Sequence, residues 1–164
     1  MQAPAQLNDE ADNWRKSLAT WALDNQRAPM MDYTIDEKSN QKYMEKMISP
    51  FVMPLLKSMG LQGLRFTMWQ FSTHIPIQPA PEMQKKKLYT IPITKVSENP
   101  QIFKDGKKYN LIPGTYIVTV GNCEITPEFD CLFVGDLREE DLTPMNSPTY
   151  VQKDQMADYK AHET

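Results

Sequence analysis

Apolar residues recur at helical spacing near the start of the chain. Ala11, Trp14, Leu18, Trp21 and Ala22 fall three or four positions apart on one face, and Asn8 or Asp9 ahead of them suits a helix cap. The pattern predicts a helix to about Gln26 that docks its tryptophan face on the rest of the fold. Thr34-Ile35-Asp36-Glu37 has capping-box spacing: the threonine hydroxyl accepts from the third helical amide and the glutamate reaches back. A second helix is therefore expected from about Ile35, its stripe continuing through Tyr43, Met44, Met47, Ile48, Phe51, Leu55 and Met59. Ser49-Pro50 reads as a cap and a first-turn proline, so a break or kink is expected there. Pro54 removes a further amide, and Gly60 suits the left-handed residue that closes a helix.

The period falls to two at Leu64. Leu64, Phe66 and Met68 alternate with Arg65, Thr67, Trp69 and Phe71, and both sets are bulky, which predicts a strand covered on both sides. Ile75 to Pro81 is proline-punctuated and belongs outside the middle of a sheet. Leu88 to Val96 alternates again, with Tyr89, Ile91 and Ile93 on one face and Pro92 marking an edge. Asp105-Gly106 between short β-prone runs is a two-residue hairpin signal, and Pro113-Gly114 suits a type II turn launching Thr115 to Val120. Cys131 to Val134 is a further strand. The segment Asp105 to Thr119, with Val120, resembles a phrase common in small β-sandwich modules, a likeness of hairpin chemistry that carries no function with it.

Helical patterns come first and strand patterns after them, which points to an α+β fold rather than an alternating one. Two N-terminal helices, the second kinked at Ser49-Pro50, pack on a mainly antiparallel sheet of five or six strands, or on a small β-barrel or sandwich. Residues 1–7 read as an N-terminal arm, 8–142 as a single domain and 143–164 as a C-terminal tail. Asp136 to Leu142 reads as one or two helical turns, followed by a loop bracketed by Pro144 and Pro148.

With 164 residues, 40% of them hydrophobic, the chain has material for one well-filled core. A net charge of −3 excludes a molecule that is basic all over and grips polyanions indiscriminately. Met1 to Gln6 lacks a basic and an apolar region, so no secretory signal is read. The longest apolar run, Ile48 to Leu56, is interrupted by Ser49, Pro50 and Pro54 and falls far short of the ~20 residues of a membrane span. A cytoplasmic or virion setting without membrane contact is expected. Cys123 and Cys131 match neither a CxxC pair nor a zinc ribbon, and two reduced, partly buried thiols are expected, with a disulfide across a hairpin as the alternative.

Motifs that would carry chemistry are missing from the chain. His74 and His162 have no partner at metal-ligand spacing, no glycine-rich loop is placed to cradle phosphate, and Glu139-Glu140-Asp141 reads as a solvated run. No catalytic, metal or cofactor site is expected. Charge is nevertheless sorted along the chain. Residues 83–122 hold seven lysines against Glu98 and Asp105, whereas residues 123–164 hold three basic and ten acidic groups.

Three readings follow from that sorting: a solvated surface, complementary patches between subunits, or a single-stranded nucleic-acid groove. In the last, Lys85, Lys86, Lys87, Lys107 and Lys108 meet phosphates while Trp69, Phe71, Tyr89 or Tyr109 stacks on bases. The leading expectation is a non-catalytic structural or assembly protein, of virion or phage type, in a homo- or hetero-oligomer. Its contact candidates are Trp14, Trp21, Met30, Met31 and the termini. Nucleic-acid binding is the alternative.

Overall fold

The computed structural model describes residues 1–24, 33–34, 40–72, 74–95, 100–136 and 151–152, with 33–34 and 151–152 given by backbone pairing alone. Met30, Met31, His162, the helix expected over 136–142 beyond its first residue, and most of the expected tail lie outside them.

Asn8 organises the helical layer. Its Oδ1 accepts the Ala11 amide at 2.8 Å and caps helix α1 (Asp9–Asp24), while its Nδ2 donates to the Ser58 carbonyl at 2.8 Å. One residue thus starts α1 and ties it to the far end of α2 (Glu45–Ser58), so the helices lie antiparallel. Ala11, Leu18 and Ala22 are buried on the inner face of α1, as its stripe predicts.

Helix α2 departs from expectation at both its start and its middle. It begins at Glu45 rather than near Ile35. Thr34 lies in strand β2 (Tyr33–Thr34), residues 35–39 are outside the described set, and Gln41–Lys42 forms strand β3. Tertiary pairing overrides the periodicity: the Tyr43 amide donates to the Met68 carbonyl at 2.9 Å and its phenol is held in the core. No break occurs at Ser49-Pro50, because the Ser49 hydroxyl donates back to the Glu45 carbonyl at 2.8 Å instead of capping a new helix. Pro50 faces solvent, and the carbonyls that the two prolines leave unpaired, on Lys46 and Pro50, belong to exposed residues that water can reach. The helix closes as expected at Gly60 (φ +73°), with Leu61 N bonded to Leu56 O and Gly60 N to Lys57 O, the paired bonds of a Schellman motif.

Among the described residues, ten strands form two antiparallel sheets. The larger sheet combines β1 (Ala5–Gln6), β3, β4 (Arg65–Phe71), β6 (Lys87–Lys95), β9 (Thr115–Val120) and β11 (Phe129–Gly135) in the order β1-β9-β6-β11-β4-β3. The smaller orders β5 (Ile75–Ile77), β10 (Cys123–Ile125), β7 (Gln101–Lys104) and β8 (Lys107–Asn110) as β5-β10-β7-β8. Separately, β12 (Val151–Gln152) pairs with β2. The expected five or six strands fall short because β1, β3, β5 and β10 are two or three residues long, too short to show an alternation. Neither sheet closes into a barrel.

Alternation along the large sheet divides two cores. Phe66, Met68, Ile91, Ile93, Leu132 and Val134 face the helices. Trp69, Phe71, Leu88, Ile117, Phe129, Cys131 and Phe133 face the small sheet and meet Ile75, Ile77, Ile102 and Ile125. The molecule is α+β: a helical layer, a six-stranded sheet and a four-stranded sheet. Both faces of β4 are covered as its sequence predicts, and Ile75–Ile77 is an edge strand. Pro92, however, does not mark a sheet edge. Strand β6 lies between β9 and β11, and Pro92 falls where the β11 register shifts and beyond the last pair with β9, so its missing amide interrupts no ladder there. Residues 1–7, read as an arm, enter the fold: Ala5 and Gln6 pair with Tyr116 and Thr115, and Leu7 is buried.

Candidate functional site

The outer face of the small sheet is built by the Asp105-Gly106 turn. Both residues have positive φ (50° and 78°), the requirement of a type I′ hairpin, and the turn pairs Lys104 with Lys107 and Phe103 with Lys108. Glu124 pairs with Phe103 on one side and with Pro76 on the other, so Pro76, Glu124, Phe103 and Lys108 form one row across all four strands. Their neighbours Ile75, Ile77, Ile102 and Ile125 point into the core. Around this row lies an open cleft of about 680 Å³, lined also by Gln78, Lys104, Lys107 and Asn122.

A second basic run abuts the cleft. Gly121 (φ +83°) admits the close approach of Gln84 and Lys104, which a side chain there would meet at 3.0 and 3.3 Å. Gln84 Nε2 donates to Asn122 Oδ1 at 2.9 Å and to the Pro79 carbonyl, and Lys104 Nζ donates to the Asn122 carbonyl at 2.8 Å. The Lys85–Lys87 run therefore starts at the cleft margin, with Lys86 paired to Asp136 at 3.1 Å. Lys85, Lys86, Lys87, Lys107 and Lys108 are all exposed.

The aromatic candidates are not at that surface. Trp69 and Phe71 are sealed between the sheets, stacked on each other at 6.2 Å, and neither is open to a base. Tyr89 is half-buried on the helix-facing side, 6.2 Å from Tyr116, with the large sheet between it and Lys107. Tyr109 is half-buried against the inter-sheet core, on the face of β8 opposite Lys108. Phe103 is the aromatic side chain the cleft presents. The two-residue turn was its signal, since it fixes Phe103 opposite Lys108.

The helical layer offers a different surface. Trp14 and Trp21 are half-buried against the core; Trp21 lies 5.8 Å from the Tyr43 ring and 6.1 Å from Phe51, holding the helices together. Outward, α2 carries Met47, Pro50, Met53 and Pro54, with Lys46 and Lys57 as the charges of that face. Met47 and Met53 are 40% and 52% exposed, and Leu23 at the end of α1 is 56% exposed.

The strongly perturbed acids and thiols lie inside. Asp130 accepts from the Tyr43 hydroxyl at 2.8 Å and from Thr94 Oγ1 at 2.6 Å. Burial raises its carboxyl above the ordinary range, against the lowering effect of those two donors, and burial with the adjacent Asp130 charge raises the Tyr43 phenol. Cys123 and Cys131 are free and buried, the former pushed up to about 11 by desolvation, so neither is a ready thiolate nucleophile. Among the described residues no three His, Cys, Asp or Glu side chains are grouped to hold a metal ion, and no helix is long and apolar enough to cross a membrane.

No family model and no curated protein matches the chain. Among solved structures, a Pseudomonas putida prolyl-4-hydroxylase is similar over 83% of this chain and 92% of its own, with a TM-score of 0.47 and 11% identity. A likeness of that degree carries no chemistry across.

Proposed function

We propose that the protein is a non-catalytic assembly component that associates with other copies of itself through the outer face of its helical layer, in the cytoplasm or in a virion. The supporting observation is the composition of that face. A surface helix ordinarily turns polar residues outward, but α2 presents Met47, Pro50, Met53 and Pro54 there. Single exposed apolar residues are ordinary, whereas several together on one element favour contact with a partner. Methionine adapts its shape to an irregular partner surface, and the exposed Pro50 and half-buried Pro54 add apolar area without rotamer entropy to lose. A face of this kind is self-complementary about a two-fold axis, since apolar groups meet apolar groups.

Light scattering on the purified chain tests the proposal. Mass above the monomer that grows with concentration is expected, and a strict monomer that joins no larger complex contradicts it.

A further inference from the structure

We infer that the cleft on the outer face of the small sheet is a binding site for single-stranded nucleic acid, separate from the helical face. Three features converge there. Phe103 stands half-buried in the sheet row and lines the cleft, where its ring can serve as a platform for a base. Lys108 stands opposite it on β8 and Lys107 lines the cleft at the turn, and among the described residues no carboxylate lies within ion-pair distance of either. Of the carboxylates at the site, Asp105 lies 3.6 Å from Lys104, and Glu124 is in hydrogen-bond contact with a ring nitrogen of His74 at 3.1 Å.

Charge and shape select this occupant. Lys85–Lys87 begins where Gln84 grips Asn122 at the cleft margin, so cations extend the site beyond the hairpin and can follow a phosphate backbone. The cleft is broad and open rather than enclosed, which fits an extended strand, and Asn122 and Gln78 place amide groups among its walls where base edges would lie. An acidic protein segment shares the attraction to lysine but gains no stacking on Phe103.

The probe is fluorescein-labelled oligothymidylate, titrated by anisotropy at low salt and across a salt series. Binding is expected, weakening with salt by a slope of about −0.7 per phosphate contacted. Lys107→Ala with Lys108→Ala should flatten that slope by about 1.4. Phe103→Ala should raise Kd about fivefold or more while leaving the slope unchanged, the loss of one stacked base. Lys57→Ala, on the helical face, should change neither quantity, and thermal melts establish that each variant is folded. The inference is overturned if the oligonucleotide does not bind at low salt. It is also overturned if Lys57→Ala flattens the slope as much as the hairpin variant does, or if labelled oligoglutamate binds where oligothymidylate does not. Should Phe103→Ala fail to fold, the lysine variant alone decides: an unchanged slope places the phosphates elsewhere.

Discussion

Gly114 shows how one residue fixes a register. It has φ +98°, follows Pro113, and sits in a turn closed by the Thr115 amide on the Ile112 carbonyl at 3.1 Å. A Cβ there would meet Asp12 Oδ1 at 3.4 Å, ordinary contact, so the penalty of substitution is one of backbone conformation rather than space. Gly114→Val should cost on the order of 1 kcal/mol or more and lower Tm; an unchanged melt would contradict the turn. Asp130 sets a second residue-scale test. Its folded carboxyl is raised above the unfolded value, so between the two the folded state keeps a proton that the unfolded state has lost. Stability from this group therefore falls as pH rises from about 4, near the unfolded value, through the folded value, and levels above it. Asp130→Asn should remove that falling limb from a series of urea midpoints. Tyr43→Phe, which deletes a donor to Oδ1, should cost about 1–3 kcal/mol at neutral pH. A midpoint that does not move in Tyr43→Phe would mean the bond adds nothing.

At the scale of elements, α2 is the instructive case. Each proline costs the helix an amide bond, so Pro50→Ala and Pro54→Ala should each stabilise the protein by about 1–2 kcal/mol, less than the full interior penalty because the unfolded chain gains freedom as well. If either variant melts lower, its ring contributes packing that outweighs the missing bond. The sequence made the interior of most elements legible: the α1 stripe, the two-sided β4, the Asp105-Gly106 hairpin and the Gly60 stop are local signals confirmed by local geometry. The start of α2 was not legible, because Tyr43 continues the apolar stripe yet is claimed by Asp130, which lies far along the chain on β11. Pro92 misled for a similar reason, since a bulge excuses a missing amide as well as an edge does. At the candidate cleft the lysines were visible in the chain. The positions of Trp69, Phe71, Tyr89 and Tyr109 away from the cleft were not, because alternation alone does not tell which face of a strand the other sheet will cover.

On the scale of the whole molecule, three layers put the two surfaces on opposite sides. The methionine–proline face of α2 looks away from the large sheet, and the lysine-rimmed cleft looks away from it in the other direction. The two should therefore be separable: charge placed on the helical face should leave oligonucleotide binding intact, and neutralising Lys107 and Lys108 should leave the assembly state intact. Coupled loss in both assays, with the fold retained, would contradict this division. The proposal of self-assembly through α2 stands on one contrast, best measured by sedimentation equilibrium of the full chain beside Met47→Glu with Met53→Glu. Both methionines are exposed, so the substitutions should leave the melting temperature nearly unchanged. The wild-type mass should rise with concentration while the doubly substituted chain remains at the 19.0 kDa of a monomer. Equal mass distributions for the two proteins at every concentration would contradict the proposal.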